Sequence, residues 1–185
     1  MKSRLIIVSV LACVILAIAA SVEAARAQDN SPSNPAAIGV PVKSTLELGS
    51  SYDLTITVLE AVRGKEAMER LKAASANNKP PKSAFEYVLA RVKFELKSRA
   101  VSENRTFDLA RPMQWIALSS DAREYESVSV TAPKPELTGS VRSGSPVEGW
   151  IAFAAEQKES KPMMMFDPAS GGAMLRGKIL FFKLY

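Results

Sequence analysis

From Glu86 to Lys97 the chain alternates residue by residue, and this stretch constrains the fold more than any other. Val88, Ala90, Val92, Phe94 and Leu96 share one side, while Arg91, Lys93, Glu95 and Lys97 take the other. A period of two is that of an extended strand with one buried face. A strand with one wet face belongs to an antiparallel sheet. Tyr52 to Val58 repeats the pattern, setting Leu54, Ile56 and Val58 against Asp53, Thr55 and Thr57. Between the two strands the period changes. Ala67, Met68, Leu71 and Ala74 fall at helical spacing, with Glu66, Glu69, Arg70 and Lys72 outside. Asn77-Asn78-Lys79-Pro80-Pro81 ends that helix. The pattern predicts one short helix, about residues 64–76, inserted in a β chain and packed across an open end of a sandwich.

Shorter strands follow. Met113–Leu118 is apolar enough to be central, and Tyr125–Val130 alternates. Val147–Ala154 and Lys178–Tyr185 are apolar on both faces, and the last is predicted to lie in the middle of the fold. Pro133 and Pro135, Ser143-Gly144-Ser145-Pro146 and Ser170-Gly171-Gly172 supply the turns. Many short strands separated by turns predict a mainly β chain, an immunoglobulin-like antiparallel β-sandwich with one inserted helix.

The N-terminus reads as an address. Lys2 and Arg4 precede an apolar run from Leu5 to Ala20, and small residues close the segment as Ala25-Arg26-Ala27. A positive head, an apolar middle and an A-x-A ending describe a secretory signal peptide over residues 1–27. Cleavage is expected between Ala27 and Gln28, with Val22 and Ala24 offering a second site before Ala25. An uncleaved anchor is one alternative, although the run is short of the roughly 18–20 residues a span needs. Lipidation at Cys13 is another, since Val10-Leu11-Ala12-Cys13 loosely resembles a lipobox. Residues 28–47, polar and punctuated by Pro32 and Pro35, read as a flexible linker. Residues 48–185 then form the domain, in a secreted or extracytoplasmic protein with no stable membrane span after cleavage.

That leader carries the chain's single cysteine, and the 185 residues include no histidine. The exported domain is therefore expected to lack thiol and imidazole alike. Ser-His-Asp and Cys-His catalysis are excluded, and zinc loses its usual ligands. Carboxylates, lysines and tyrosines remain as proton carriers. The formal charge of +5 drops to +3 once Lys2, Arg4, Arg26 and Glu23 leave with the leader. The remaining charges are well mixed, which is not the footprint of a nucleic-acid binder.

Candidate sites are few. No Walker loop or G-x-G-x-x-G pattern is present, and Ser170-Gly171-Gly172 reads as a hairpin turn. Met163-Met164-Met165-Phe166 could form a copper(I) thioether site or a soft contact surface. In a strand only Met163 and Met165 share a face, so a core strand is the simpler reading. Asp53, Glu60, Glu95, Glu103, Asp108, Asp121, Glu124 and Glu126 are scattered carboxylates. A carboxylate hydrolase would need two of them facing across a cleft. Trp115 and Trp150 could stack on a sugar, but both sit inside strand patterns and read as core. Asn104-Arg105-Thr106 fits a glycosylation sequon. The sequence thus assigns no catalytic, cofactor-binding or metal-ligating residue, calls for no cofactor, and leaves ligand-binding residues open.

Several segments together resemble a family of exported bacterial proteins. They are Val62-Arg63-Gly64-Lys65-Glu66-Ala67, Asn77-Asn78-Lys79-Pro80-Pro81, Phe85 to Lys93, and Gly144-Ser145-Pro146-Val147-Glu148-Gly149-Trp150-Ile151-Ala152-Phe153. The family has a telokin-like, immunoglobulin-like fold and belongs to the superfamily of the mycobacterial immunoprotective extracellular protein. The resemblance covers about residues 48–185 and is looser between Ser98 and Val141. It implies fold and export and transfers no catalytic residue. The expectation is a non-enzymatic cell-envelope or secreted binding protein, its partner an envelope protein or a surface glycan. A carboxylate hydrolase and a carbohydrate-binding module stand as alternatives.

Overall fold

Alternation along the chain becomes sheets in the computed structural model, which describes residues 29–47, 49–101, 105–109, 115–168 and 176–185. The described elements run in the order β1 (Val42–Glu47), β2 (Ser51–Arg63), α1 (Gly64–Ala74), β3 (Phe85–Ser98), β4 (Thr106–Asp108) and β5 (Trp115–Leu118). Then come β6 (Ser140–Arg142), β7 (Val147–Glu156), β8 (Met163–Phe166), β9 (Arg176–Gly177) and β10 (Leu180–Lys183). One sheet has the order β7-β3-β2-β1-β9, a second β10-β8-β5, and β4 pairs with β6 as a ribbon. All these pairs are antiparallel. The chain is mainly β with one helix among the described residues, as its periodicities predict.

Two sheets share one core. Leu54, Ile56, Val58, Val88, Ala90, Val92 and Phe94 of the larger sheet meet Trp115, Met164, Phe166, Leu180 and Phe182 of the smaller. The two-residue period selects these side chains from each strand. β2 and β3 hold the register Ile56↔Phe94, which places their apolar faces on the same side.

A second, smaller core lies on the opposite face of the larger sheet. A β-bulge between Val58 and Glu60 reverses the alternation of β2. Val62 therefore joins Tyr87, Leu89 and Trp150 under Ala67 and Leu71 of α1. The helix lies on that outer face and does not cap an open end. It stops at Ala74, two residues short of the expected boundary. Gly64 begins it at φ 61°, a left-handed turn that glycine adopts without strain. A Cβ at Gly64 would also lie 2.9 Å from the Glu86 carboxylate, which is held by Arg63 at 2.8 Å.

Two cores explain why β7 is apolar on both faces. Phe153 and Ala155 face the main core, while Trp150, Ala152 and Ala154 face the helix side.

The expected linker over 28–47 is corrected by the structure. Asn30 donates to the Phe181 carbonyl at 2.7 Å and accepts from its N–H at 2.7 Å. Ala36 is buried and bridges to Phe182, and Val42–Glu47 is strand β1, paired along its length with β2. The folded unit therefore begins well before residue 48. β10 spans Leu180–Lys183, shorter than the predicted 178–185, and lies between β8 and the Ala36 segment. Residues 1–28, with Cys13, the leader and its cleavage sites, lie outside the described residues, as do Glu103, Asn104, Met113, Gln114 and Ser170-Gly171-Gly172. Among the described residues no helix is long and apolar enough to cross a membrane.

Candidate functional site

β5 and β7 are edge strands of the two sheets, and they lie on the same side of the main core. The seam between them is spanned by residues 124–137. The predicted strand Tyr125–Val130 is not one. It runs through this span without pairing into a sheet, held at its ends by other residues. At one end the Tyr125 N–H donates to the Ala117 carbonyl of β5 at 2.9 Å. At the other, the Trp150 N–H donates to the Pro135 carbonyl and the Leu137 N–H to the Trp150 carbonyl, both at 2.8 Å.

Between these ends stands Asn78. Its buried side-chain amide donates to the Leu71 carbonyl in the last turn of α1 and to the Thr131 carbonyl, both at 2.8 Å. Its Oδ1 accepts from the Thr131 N–H at 2.8 Å. Val128, Val130 and Ala132 turn toward the helix-side core, which accounts for the alternation in the sequence. We refer to this segment as the strap.

The strap is longer than the edge it follows. Tyr125 lies beside Glu156 and Glu136 beside Trp150. That stretch of β7 covers about 20 Å at 3.3 Å per residue. The same interval along the strap extends to about 36 Å. The strap bows, and cavities of about 530 and 510 Å³ flank it. They share Glu124 to Val128 as a common wall.

Register decides what β7 offers them. The polar groups of Trp150 point away from β3, toward Pro135 and Leu137. Two-residue periodicity sends those of Ala152 and Ala154 the same way. Neither has a backbone partner on that side among the described residues. Ala152 lines one cavity and Ala154 the other.

Two buried side chains add to this set. Tyr125 lines both cavities and Trp115 the larger, while the Tyr125 hydroxyl and the Trp115 indole N–H are themselves buried and have no hydrogen-bond partner among the described residues. Tyr125 is 9% exposed. Burial pushes its hydroxyl above the ordinary range for a phenol, and the nearby Glu156 N–H lies outside hydrogen-bonding geometry. An orphaned buried hydroxyl is destabilising. Tyr125→Phe is therefore expected to leave stability unchanged or raise it by up to about 1 kcal/mol. Urea unfolding checks this; a loss above that size would mean the hydroxyl is bonded in the free protein.

The residues singled out in the sequence lie elsewhere or play structural parts. Trp115 packs against Phe166 at 4.7 Å between ring centroids, and Trp150 lies beneath Arg70 at 5.1 Å. Both are buried, so neither presents a face on which a sugar could stack. Met164 enters the main core, while Met163 and Met165 share the other face of β8 with Leu118. β8 is thus the core strand that the alternation predicts. Among the described residues no group of three or more histidines, cysteines or carboxylates could hold a metal ion.

The carboxylates are mostly engaged with cations. Glu60 meets Arg70 and Glu95 meets Lys93, each at 2.9 Å. A hydrogen bond from Arg99 holds Asp53 below the usual carboxylate range, and one from Lys82 does the same for Glu126. The Ser119 hydroxyl lowers Asp121, and Lys158, then Arg123, lower Glu156. Burial opposes the charge on Glu159, but the N–H groups of Lys161 and Ser120 outweigh it and hold that carboxyl low too. A general acid needs the opposite shift. Glu124 and Glu126 both reach the cavity rims, and both are exposed.

The seam itself was not signalled in the sequence. Tyr125–Val130 reads as a strand because it packs on one side, and side-chain periodicity carries no information on backbone pairing. Comparison with family models, with curated proteins and with solved structures finds no match to this chain.

Proposed function

We propose that the protein is a non-enzymatic binding domain that takes an extended polypeptide segment into the seam by adding a strand along the edge of β7. The outward polar groups of Ala152 and Ala154, unpaired beside a bowed strap, carry this reading. An added strand supplies main-chain donors and acceptors at the spacing a sheet edge presents. The low carboxyl groups and the absence of imidazole support binding over catalysis. The Lys2-to-Ala27 leader supports work outside the cytoplasm, in the setting that the resemblance to the exported family implies.

Ala152→Pro tests the edge directly. Proline removes an N–H that faces the seam and no rung of the β3–β7 ladder, and edge strands tolerate it. The probes are three labelled ten-residue peptides of alternating valine and serine, with serine, lysine or glutamate at positions 2 and 8. At least one is expected to bind the parent saturably in fluorescence anisotropy. Ala152→Pro is expected to weaken it about tenfold or more, the equivalent of about 1.4 kcal/mol, with the unfolding midpoint unchanged. Equal binding by the variant, or no binding of any peptide to the parent, overturns the reading.

A further inference from the structure

We infer that the segment taken by the seam is basic, with two cationic residues about six positions apart flanking small or apolar ones; this rests on the strand-addition reading. The charges at the rim carry the inference. Lys82 is engaged by Glu126, and Arg123 by Glu156 at 2.8 Å, with Lys158 on the same Glu156 carboxylate at 3.2 Å. Lys82 is thus matched one to one, while Arg123 and Lys158 share a single carboxylate and leave one positive charge in excess at that end. Glu124 and Glu136 also line the seam, and neither makes an ion pair among the described residues. Two free carboxylates against one excess cation leave the rim net acidic in a chain whose formal charge is +5. A general attraction of cations to this protein is thus not expected, and a local one at the seam is.

The two carboxylates stand at opposite ends of the strap. Glu124 bridges to Leu118 at the β5 end, and Glu136 bridges to Trp150 at the β7 end. A guest pairing with Ala152 and Ala154 extends beyond them toward both ends, which lie about 20 Å apart along β7, or roughly six residues at 3.3 Å each. An even separation keeps both cationic side chains on one face of the guest. The wall between them offers the small side chains of Ala152, Ala154, Ser127 and Ser129. That leaves room for a compact centre and does not call for large aromatic anchors in the guest.

The same three peptides separate this inference from the reading beneath it. The lysine peptide is expected to bind the parent about 3–10-fold tighter than the serine peptide, and the glutamate peptide weaker than both, since each exposed pair contributes only a few-fold. Raising salt from 50 to 500 mM is expected to erase most of the difference. The double variant Glu124→Gln, Glu136→Gln is expected to remove the lysine preference and leave serine-peptide affinity unchanged. Both residues lie at the surface, so the fold is expected to persist; an unchanged unfolding midpoint confirms it. Equal binding of the lysine and serine peptides by the parent overturns the charge inference and leaves strand addition standing. Binding of none of the peptides, with concentration-dependent self-association in sedimentation, overturns both and assigns the edge to a second copy.

Discussion

Phe94→Ala is expected to lower unfolding free energy by about 3–5 kcal/mol, the range for removing a large buried aromatic side chain. Phe94 has no exposed surface. Its ring stacks on Phe107 at 5.7 Å and meets Trp115 and Phe166 edge-on at 6.2 and 5.9 Å between centroids. These partners come from β4, β5 and β8, so one side chain of the larger sheet touches the ribbon and two strands of the smaller sheet. Alanine forfeits the transferred apolar area, leaves a cavity and removes three ring contacts at once. Phe94→Leu keeps most of the volume and is expected to cost clearly less, near the upper end of the range for a core swap, about 1.5 kcal/mol. Urea unfolding of both variants measures the difference. A cost below about 1 kcal/mol for the alanine variant would mean that the sheets do not share one core.

Gly149→Ala is expected to detach one end of the strap. A Cβ at Gly149 would lie 2.5 Å from the Leu137 nitrogen, 2.6 Å from the Glu136 carbonyl carbon and 2.8 Å from its oxygen. These are main-chain atoms and cannot rotate aside. The segment must move, which breaks the two 2.8 Å hydrogen bonds between Trp150 and residues 135 and 137 and withdraws buried Leu137 from the core. Two hydrogen bonds of about 1 kcal/mol each and part of one leucine's burial give an expected loss of about 2–4 kcal/mol. Hydrogen exchange provides the sharper check. The Leu137 and Trp150 amides are expected to lose protection first, while the β2–β3 ladder keeps its own. Uniform loss across both regions would mean that the strap is not a separate unit.

The strands that could be read in advance were those where packing alone sets the pattern. Ala90–Lys97 alternates because one face of β3 meets the main core and the other is more exposed, whereas Tyr87 and Leu89 before it turn to the helix-side core. The methionines of β8 alternate for a similar reason, with different apolar neighbours on each face. The N-terminal segment has the composition of a linker, yet backbone bonds hold it in the fold. Asn30 and Ala36 engage the main chain of β10, and composition records nothing of that. The position of α1 depended on a bulge that turns Val62 over, which no local pattern in β2 marks. The seam depended on which strands lie at the edges, and that follows from topology. Its polar groups are also mostly main-chain groups, common to every residue but proline, so no side-chain motif could announce them.

Asn78 divides one amide between the strap and the last turn of the helix. Any displacement of Thr131 therefore also disturbs the Leu71 carbonyl, which keeps the Ser75 N–H as its other donor at 3.0 Å. A single side chain thus ties the strap to the helix on that outer face of the larger sheet. Events at the seam are thereby expected to register as fraying at the helix terminus, where slowed or hastened amide exchange would report occupancy from outside the groove.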